Sequence, residues 1–134
     1  MRILLSGVLG QDAHYLAKQL SEEGHQVFGL VHRQGVQELE YGSIIRGDLT
    51  DTSSIFRAVE IARPQEIYNM GAVSHVLYSF MHPEHTMEVN GLGLWRLVEA
   101  ARRFAPDARI YQASSSELFG TAPAPQNEDS PMTP

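Results

Sequence analysis

Cysteine is absent from this chain of 134 residues, which excludes a disulfide framework and any thiolate nucleophile. Lysine is almost absent: Lys18 is the only one, and no tyrosine lies four residues before it. Positive charge is scarce as a whole, and the formal net charge is −6. Nucleic acid and anionic membrane surfaces are bound by clustered cations, so neither is an expected partner. Long apolar runs are also missing. The N-terminal run is too short for a signal peptide and no segment reaches membrane-span length, so a soluble, cytoplasmic protein is the expectation. No repeat or compositional bias appears, and the length suits one domain over residues 1–134 with a sizeable core.

What is present begins at the N-terminus. The apolar run Arg2-Ile3-Leu4-Leu5 enters Ser6-Gly7-Val8-Leu9-Gly10-Gln11-Asp12-Ala13, and a helical pattern follows from Asp12 to about Gly24. A strand that breaks into a glycine-spaced turn and restarts as a helix suits a dinucleotide pyrophosphate. Glycines let the backbone approach the phosphates, and the helix start presents free N–H groups and a positive dipole end. The third position of the motif is Ala13, which is tolerable where helix–strand packing rather than phosphate contact is at stake.

Downstream, strands are expected at Gln26–Val31, Ser43–Arg46, Glu66–Met70 and Arg109–Ala113. Asp51 or Thr52 should cap a helix through Ile55, Val59 and Ala62, and Pro83 should open a long helix to Phe104. Arg33 to Tyr41 reads as a poorly patterned crossover and the Pro-rich stretch 121–134 as loop. The alternation predicts an α/β fold: a doubly wound, Rossmann-type parallel sheet of about five strands covered on both faces. The long helix is apolar on several sides, with Leu94, Trp95 and Val98 on one and Leu92, Leu97 and Phe104 spreading round. Core packing is the first expectation for it, and a subunit interface the second.

Ligands in such sheets lie beyond the carboxyl ends of the strands, which singles out four positions. Arg33, after the second strand, has the charge and fork geometry for a ribose 2′-phosphate and favours NADP over NAD; the bland alternative is a solvated arginine. Asp48 and Leu49 close the third strand, where Asp48 reaches an adenine edge. Met70, Gly71, Ala72, Val73 and Ser74 follow the fourth with small residues that let a cofactor lie close, or simply make a turn. Ser114-Ser115-Ser116-Glu117 follows the fifth strand, with a carboxylate suited to proton transfer beside hydroxyls, or caps the next element. His82, Glu84, His85 and Glu88 do not make a metal site, since nothing completes the ligand set, and no metal is expected.

Three stretches together resemble the GDP-mannose 4,6-dehydratase family of extended short-chain dehydrogenases/reductases: Gly7 to Asp12, Glu66 to Val76, and Tyr111 to Gly120. The resemblance implies NADP as cofactor and GDP-mannose as substrate. Hydride leaves C4 of the sugar, a glutamate takes the C5 proton as the C6 hydroxyl departs, and the hydride returns to C6. By position Glu117 matches that glutamate and Ser115 the hydroxyl residue that is usually threonine. Gly7, Val8, Leu9, Gly10, Gln11, Asp12, Asp48, Leu49 and Met70 to Ser74 match cofactor contacts, and His85 stands where relatives have a tyrosine lining the cofactor. The chain departs from the pattern at Met70-Gly71-Ala72-Val73, usually Leu-Ala-Ala-Gln, and at His32-Arg33, usually paired arginines. The family's Tyr-x-x-x-Lys helix is missing from these residues.

The expectation is therefore the N-terminal, cofactor-binding part of such an enzyme, stopping before the Tyr-x-x-x-Lys helix, inactive alone, and a homo-oligomer through helix 84–104. A non-catalytic dinucleotide-binding module and another sugar-nucleotide epimerase or reductase remain open alternatives. A sheet lacking its next strand and helix should expose apolar surface and self-associate.

Overall fold

The computed structural model describes the backbone of residues 1–134 and every side chain except that of Ser116. Its first half runs β1 (Arg2–Ser6), α1 (Gln11–Glu22), β2 (Gln26–Val31), β3 (Ser43–Arg46), α2 (Thr52–Ala62) and β4 (Glu66–Asn69). Then come α3 (Val76–Met81), α4 (Pro83–Met87), a π turn (Glu88–Leu92), α5 (Gly93–Phe104), β5 (Arg109–Gln112) and a 3₁₀ turn (Ser116–Phe119). The five strands form one parallel sheet in the order β3-β2-β1-β4-β5. This is the doubly wound sheet expected from the strand–helix alternation.

The strand order explains which helix covers which face. From β1 the chain moves one way to β2 and the other way to β4 and β5. Right-handed crossovers then put α1 on one face and α2 and α5 on the other. The two cores agree. Leu4 and Ile67 meet Ile55, Val59, Leu97 and Ala100 on the α2–α5 face. Ile3, Leu5, Val27 and Val31 meet Ala13, Ala17 and Leu20 on the α1 face. Buried on both faces, β1 has no room for polar alternation, which is why it reads as an unbroken apolar run. Asp51 is the cap of α2, its carboxylate accepting the N–H groups of Ser53 at 3.0 Å and Ser54 at 3.2 Å.

Three expectations are corrected. The helix expected from Pro83 to Phe104 is interrupted by the π turn. Arg96 draws the Glu88 carbonyl (3.1 Å) and the Leu49 carbonyl (2.9 Å) onto one guanidinium nitrogen, and a Cβ on Gly93 would stand 3.0 Å from Leu49 Cβ. The turn is widened to meet that neighbour. The same helix is not buried all round. Leu97, Ala100 and Ala101 face the sheet, whereas Trp95 is 56% and Val98 44% exposed, because no second layer packs over them among the described residues. The sheet, finally, is not fully covered on both faces. α1 covers the β1–β2 side, and on that face β4 and β5 present Tyr68, Tyr111 and the Glu66–Arg109 ion pair instead of meeting a helix.

α3 was not anticipated. His75 caps it, its Nδ1 accepting the Tyr78 N–H at 3.2 Å, and Val76, Leu77, Phe80 and Met81 all stand exposed.

Candidate functional site at the strand ends

The site starts where β1 ends. Gly7 adopts φ +65°, and a Cβ there would lie 2.6 Å from the Gly71 nitrogen and 2.8 Å from the Met70 carbonyl carbon. Only glycine allows both the left-handed backbone and the close approach of the β1 and β4 ends. Gly10 donates its N–H to the Gly7 carbonyl at 2.8 Å and is the N-cap residue of α1. No side chain caps α1, in contrast to α2, and its first intrahelical bond runs from the His14 N–H to the Gly10 carbonyl. Its leading N–H groups and positive dipole end therefore face outward from the turn, ready for an anion.

A polar relay fixes the strand ends around this turn. The Ser6 hydroxyl donates to Asn69 Oδ1 and accepts the Gly71 N–H at 3.0 Å. Asn69 Nδ2 donates to Gln112 Oε1 at 2.6 Å, and Gln112 Nε2 to the Ala113 carbonyl at 2.6 Å. Ser6 pairs with Asn69, and Asn69 with Gln112, in the sheet register. The relay thus spans three strands in one row. Beyond β4 the loop is latched by Asn90, whose amide accepts the Val73 N–H at 2.8 Å and donates to the Val73 carbonyl at 3.0 Å. Arg46, the last residue of β3, donates to the carbonyls of Arg33 (3.0 Å) and Val36, pinning the loop after β2 that carries Arg33.

Asp48 sits half-buried beyond β3. Burial acts against its charge, but the Thr50 N–H (2.9 Å) and hydroxyl (2.8 Å) both donate to Oδ1, and His32 and His85 lie nearby. The balance holds its carboxyl below the usual range, so it is an anion at neutral pH.

These elements enclose a cavity of ≈ 650 Å³ at the switch point between β1 and β4, within the size range of small-molecule sites. Most of the residues singled out in the sequence line it: Gly7, Val8, Leu9 and Gly10 from the turn, Arg33 after β2, Asp48 and Leu49 after β3. Met70, Gly71, Ala72, Val73 and Ser74 line it after β4, and His85 lines it from α4. Gln11 and Asp12 do not; they begin α1 and are exposed. Ser115 and Glu117 do not either. Both are exposed beyond β5, where the Ser115 hydroxyl accepts the Glu117 N–H at 3.2 Å and caps the 3₁₀ turn.

Sequence reasoning missed Ser6, Leu30, Val31, His32, Gly47, His75, Tyr78 and Val89 in the lining. Ser6 carried a signal, a polar residue ending an apolar strand, and His75 another as a helix cap; Tyr78 and Val89 carried none. Among the described residues no group of three or more His, Cys, Asp or Glu is arranged to hold a metal ion. Glu88 instead pairs with Arg96 at 2.7 Å, and His82 stacks on Tyr78 with ring centroids 4.3 Å apart. Among the described residues no helix is long and apolar enough to cross a membrane.

Comparison with known proteins follows the same outline. The family model for GDP-mannose 4,6 dehydratase matches residues 4–134. The chain is 41% identical over 150 aligned residues to the GDP-mannose 4,6-dehydratase of Yersinia enterocolitica, covering 99% of this chain and 40% of that protein. It is 36% identical to the human GDP-mannose 4,6 dehydratase over 98% of this chain, again 40% of the relative. Among solved structures, the Thermus thermophilus UDP-glucose 4-epimerase in complex with NAD superposes with a TM-score of 0.84 at 26% identity, covering 100% of this chain and 45% of that one. The chain spans about 40% of the length of the relatives it matches. With all but its first three residues inside the family model, the chain belongs to the GDP-mannose 4,6-dehydratase family.

Proposed function

We propose that residues 1–134 form the dinucleotide-binding domain of a GDP-mannose 4,6-dehydratase, with NADP in the cavity at the strand ends. One observation carries this: the uncapped start of α1, behind a turn whose Gly7 tolerates no side chain, opens onto a cavity at the sheet's switch point. The residues present fit such a group. The α1 N–H groups suit the pyrophosphate, Arg33 a 2′-phosphate, and Asp48, ionised, an adenine or ribose donor. Gly71 and Ala72 leave room beside the β4 end. The bound Thermus epimerase supports a nicotinamide dinucleotide at this fold's crevice.

When bound, the cofactor supplies a reversible two-electron acceptor for the sugar. The chain's own part is to hold it still. The Ser6–Asn69–Gln112 relay fixes the floor, Arg46 fixes the Arg33 loop, and Asn90 fixes the Val73 loop. In the parent reaction GDP-mannose would lose water to give GDP-4-dehydro-6-deoxy-D-mannose. Glu117 would take the C5 proton and Ser115 would hold a substrate oxygen. Both lie outside the cavity lining, and Lys18, the only lysine, is on α1 within 3.9 Å of Glu22. The 134 residues by themselves should therefore bind the cofactor without turnover. Trp95, Val98 and Leu92 offer the apolar face for a second copy in a homo-oligomer.

Titration with NADPH, followed by nicotinamide fluorescence, should give saturable binding, and incubation with GDP-mannose should leave the sugar nucleotide unchanged. Absence of dinucleotide binding would overturn the domain assignment; conversion of GDP-mannose would overturn the expectation of no turnover.

A further inference from the structure

The chain has six histidines, and four of them are engaged within the fold. His14 Nε2 lies 3.9 Å from Glu40, and His25 Nε2 lies 3.5 Å from Glu23. His75 caps α3 through Nδ1, and His82 stacks on Tyr78. His32 and His85 remain. Neither ring has a hydrogen-bond or ion-pair partner among the described residues, and both line the cavity at the strand ends. His85 reaches that cavity from α4, with its ring edge-on to Tyr78 at a centroid distance of 6.1 Å and an interplanar angle of 79°.

The charged and titratable groups that share the cavity with His85 are few. Arg33 comes from the loop after β2 and Asp48 from beyond β3, and their formal charges cancel. His32 follows β2 directly, and His75 and Tyr78 belong to the start of α3. Glu84, beside His85 on α4, is outside the lining, and Glu88 is paired with Arg96 at 2.7 Å. His32 and His85 both stand close enough to Asp48 to favour its charged form. Protonating His75 at Nδ1 would break the α3 cap, whereas protonating His85 breaks no bond. With neutral histidines the cavity wall therefore has no net formal charge, although the ligand proposed for it is a polyanion.

We propose that His85 makes dinucleotide binding proton-linked: its ring takes up a proton from solvent as the polyanion enters, so the cavity holds its ligand more tightly as pH falls through the histidine range. The inference rests on the dinucleotide reading above and adds the regulation of that site by pH. Histidine is the side chain suited to this, because it changes charge between about pH 5 and pH 8. A bound anion favours the charged ring, so the proton is gained on binding. The added affinity is complete at low pH and is lost as pH rises through the titration of the ring in the complex. Because His85 is exposed, solvent and salt screen the attraction and keep the gain modest.

The test is the NADP dissociation constant, measured by calorimetry from about pH 5.5 to about pH 8.5 on the whole chain, His85→Tyr and His85→Gln. Tyrosine keeps an aromatic ring beside Tyr78 and stays neutral across this range. The 2′-phosphate of NADP titrates as well, with a pKa of about 6, but it does so in all three proteins, so the difference between parent and variant isolates the ring. Across the range the parent should lose roughly threefold to tenfold more affinity than either variant. In buffers of different ionisation enthalpy, the parent should also take up more protons per dinucleotide bound. Parallel profiles in all three proteins would overturn the inference and leave the dinucleotide reading standing. A profile flattened by His32→Gln but not by His85→Tyr would overturn it in the same way. So would a His85→Tyr chain that is folded by circular dichroism yet binds no NADP at any pH, since the ring would then serve shape rather than charge. If the unaltered chain binds no NADP at any pH, the dinucleotide reading falls and takes the inference with it.

Discussion

Replacing Gly7 by alanine tests whether the turn is built around close backbone packing or only around an unusual dihedral angle. Gly24, just past α1, is the control. It also has positive φ, at +80°, but a Cβ there would meet nothing within 4 Å. Alanine at Gly24 should therefore cost only the left-handed backbone, about 1–2 kcal/mol. At Gly7 the same conformational cost applies with φ at +65°, but the new methyl also lands 2.6 Å from the Gly71 nitrogen and 2.8 Å from the Gly71 Cα. These are backbone atoms of the loop that follows β4 and cannot swing aside as a side chain would. Overpacking of that kind costs about 1–3 kcal/mol, so Gly7→Ala should lose about 2–5 kcal/mol in all. Gly71 also donates its N–H to Ser6, so moving it disturbs the relay to Asn69. Urea unfolding followed by circular dichroism separates the two variants through their midpoints at constant slope. If Gly7→Ala and Gly24→Ala lose the same stability, the clash does not exist and the turn is shaped by its dihedral alone.

Glu66 offers a pH test. The Tyr68 hydroxyl bond lowers its carboxyl pKa most, burial opposes it, and Arg109 adds to the lowering. A lowered folded pKa contributes stability above the usual carboxylate range and loses it as pH falls through the folded value. Glu66→Gln should thus be less stable than the parent at neutral pH, with the gap closing on acidification; a gap independent of pH would refute the assignment. Trp95→Glu should leave the unfolding midpoint nearly unchanged, within about 0.5 kcal/mol, because the ring is 56% exposed. It should also shift sedimentation toward the monomer, and a parent chain that is already monomeric at high concentration would remove the case for that face.

The legible parts were those whose signals are local. The β1–turn–α1 unit announces itself because Gly7 and Gly10 follow an apolar run without interruption. Asp51 announces α2 because a capping carboxylate needs only the next turn's N–H groups. α3 was invisible for the opposite reason: its apolar residues face solvent, so no core-facing period exists to read. The π turn depends on Arg96 gripping the Leu49 carbonyl, a residue 47 positions away, and no window along the helix contains that partner. The Ser6–Asn69–Gln112 relay depends on strand register in the same way.

The two halves of the site differ for a structural reason. With the order β3-β2-β1-β4-β5, the switch point falls between β1 and β4, in the middle of the sheet, where strands on both sides and buried cores on both faces hold the turn still. The cavity proposed for the dinucleotide therefore forms at the strand ends, and its lining residues fall where those ends put them. Ser115 and Glu117 follow β5, which is a sheet edge among the described residues, and both are exposed. A general base acts through hydrogen-bond reach to a substrate proton in a site that excludes water, and an exposed carboxylate next to an open edge has neither wall nor partner. On the roles proposed above, dinucleotide binding and proton transfer are consequently separable. On the same proposal, substitutions at Glu117 should leave dinucleotide affinity untouched, whereas Gly7→Ala should weaken it.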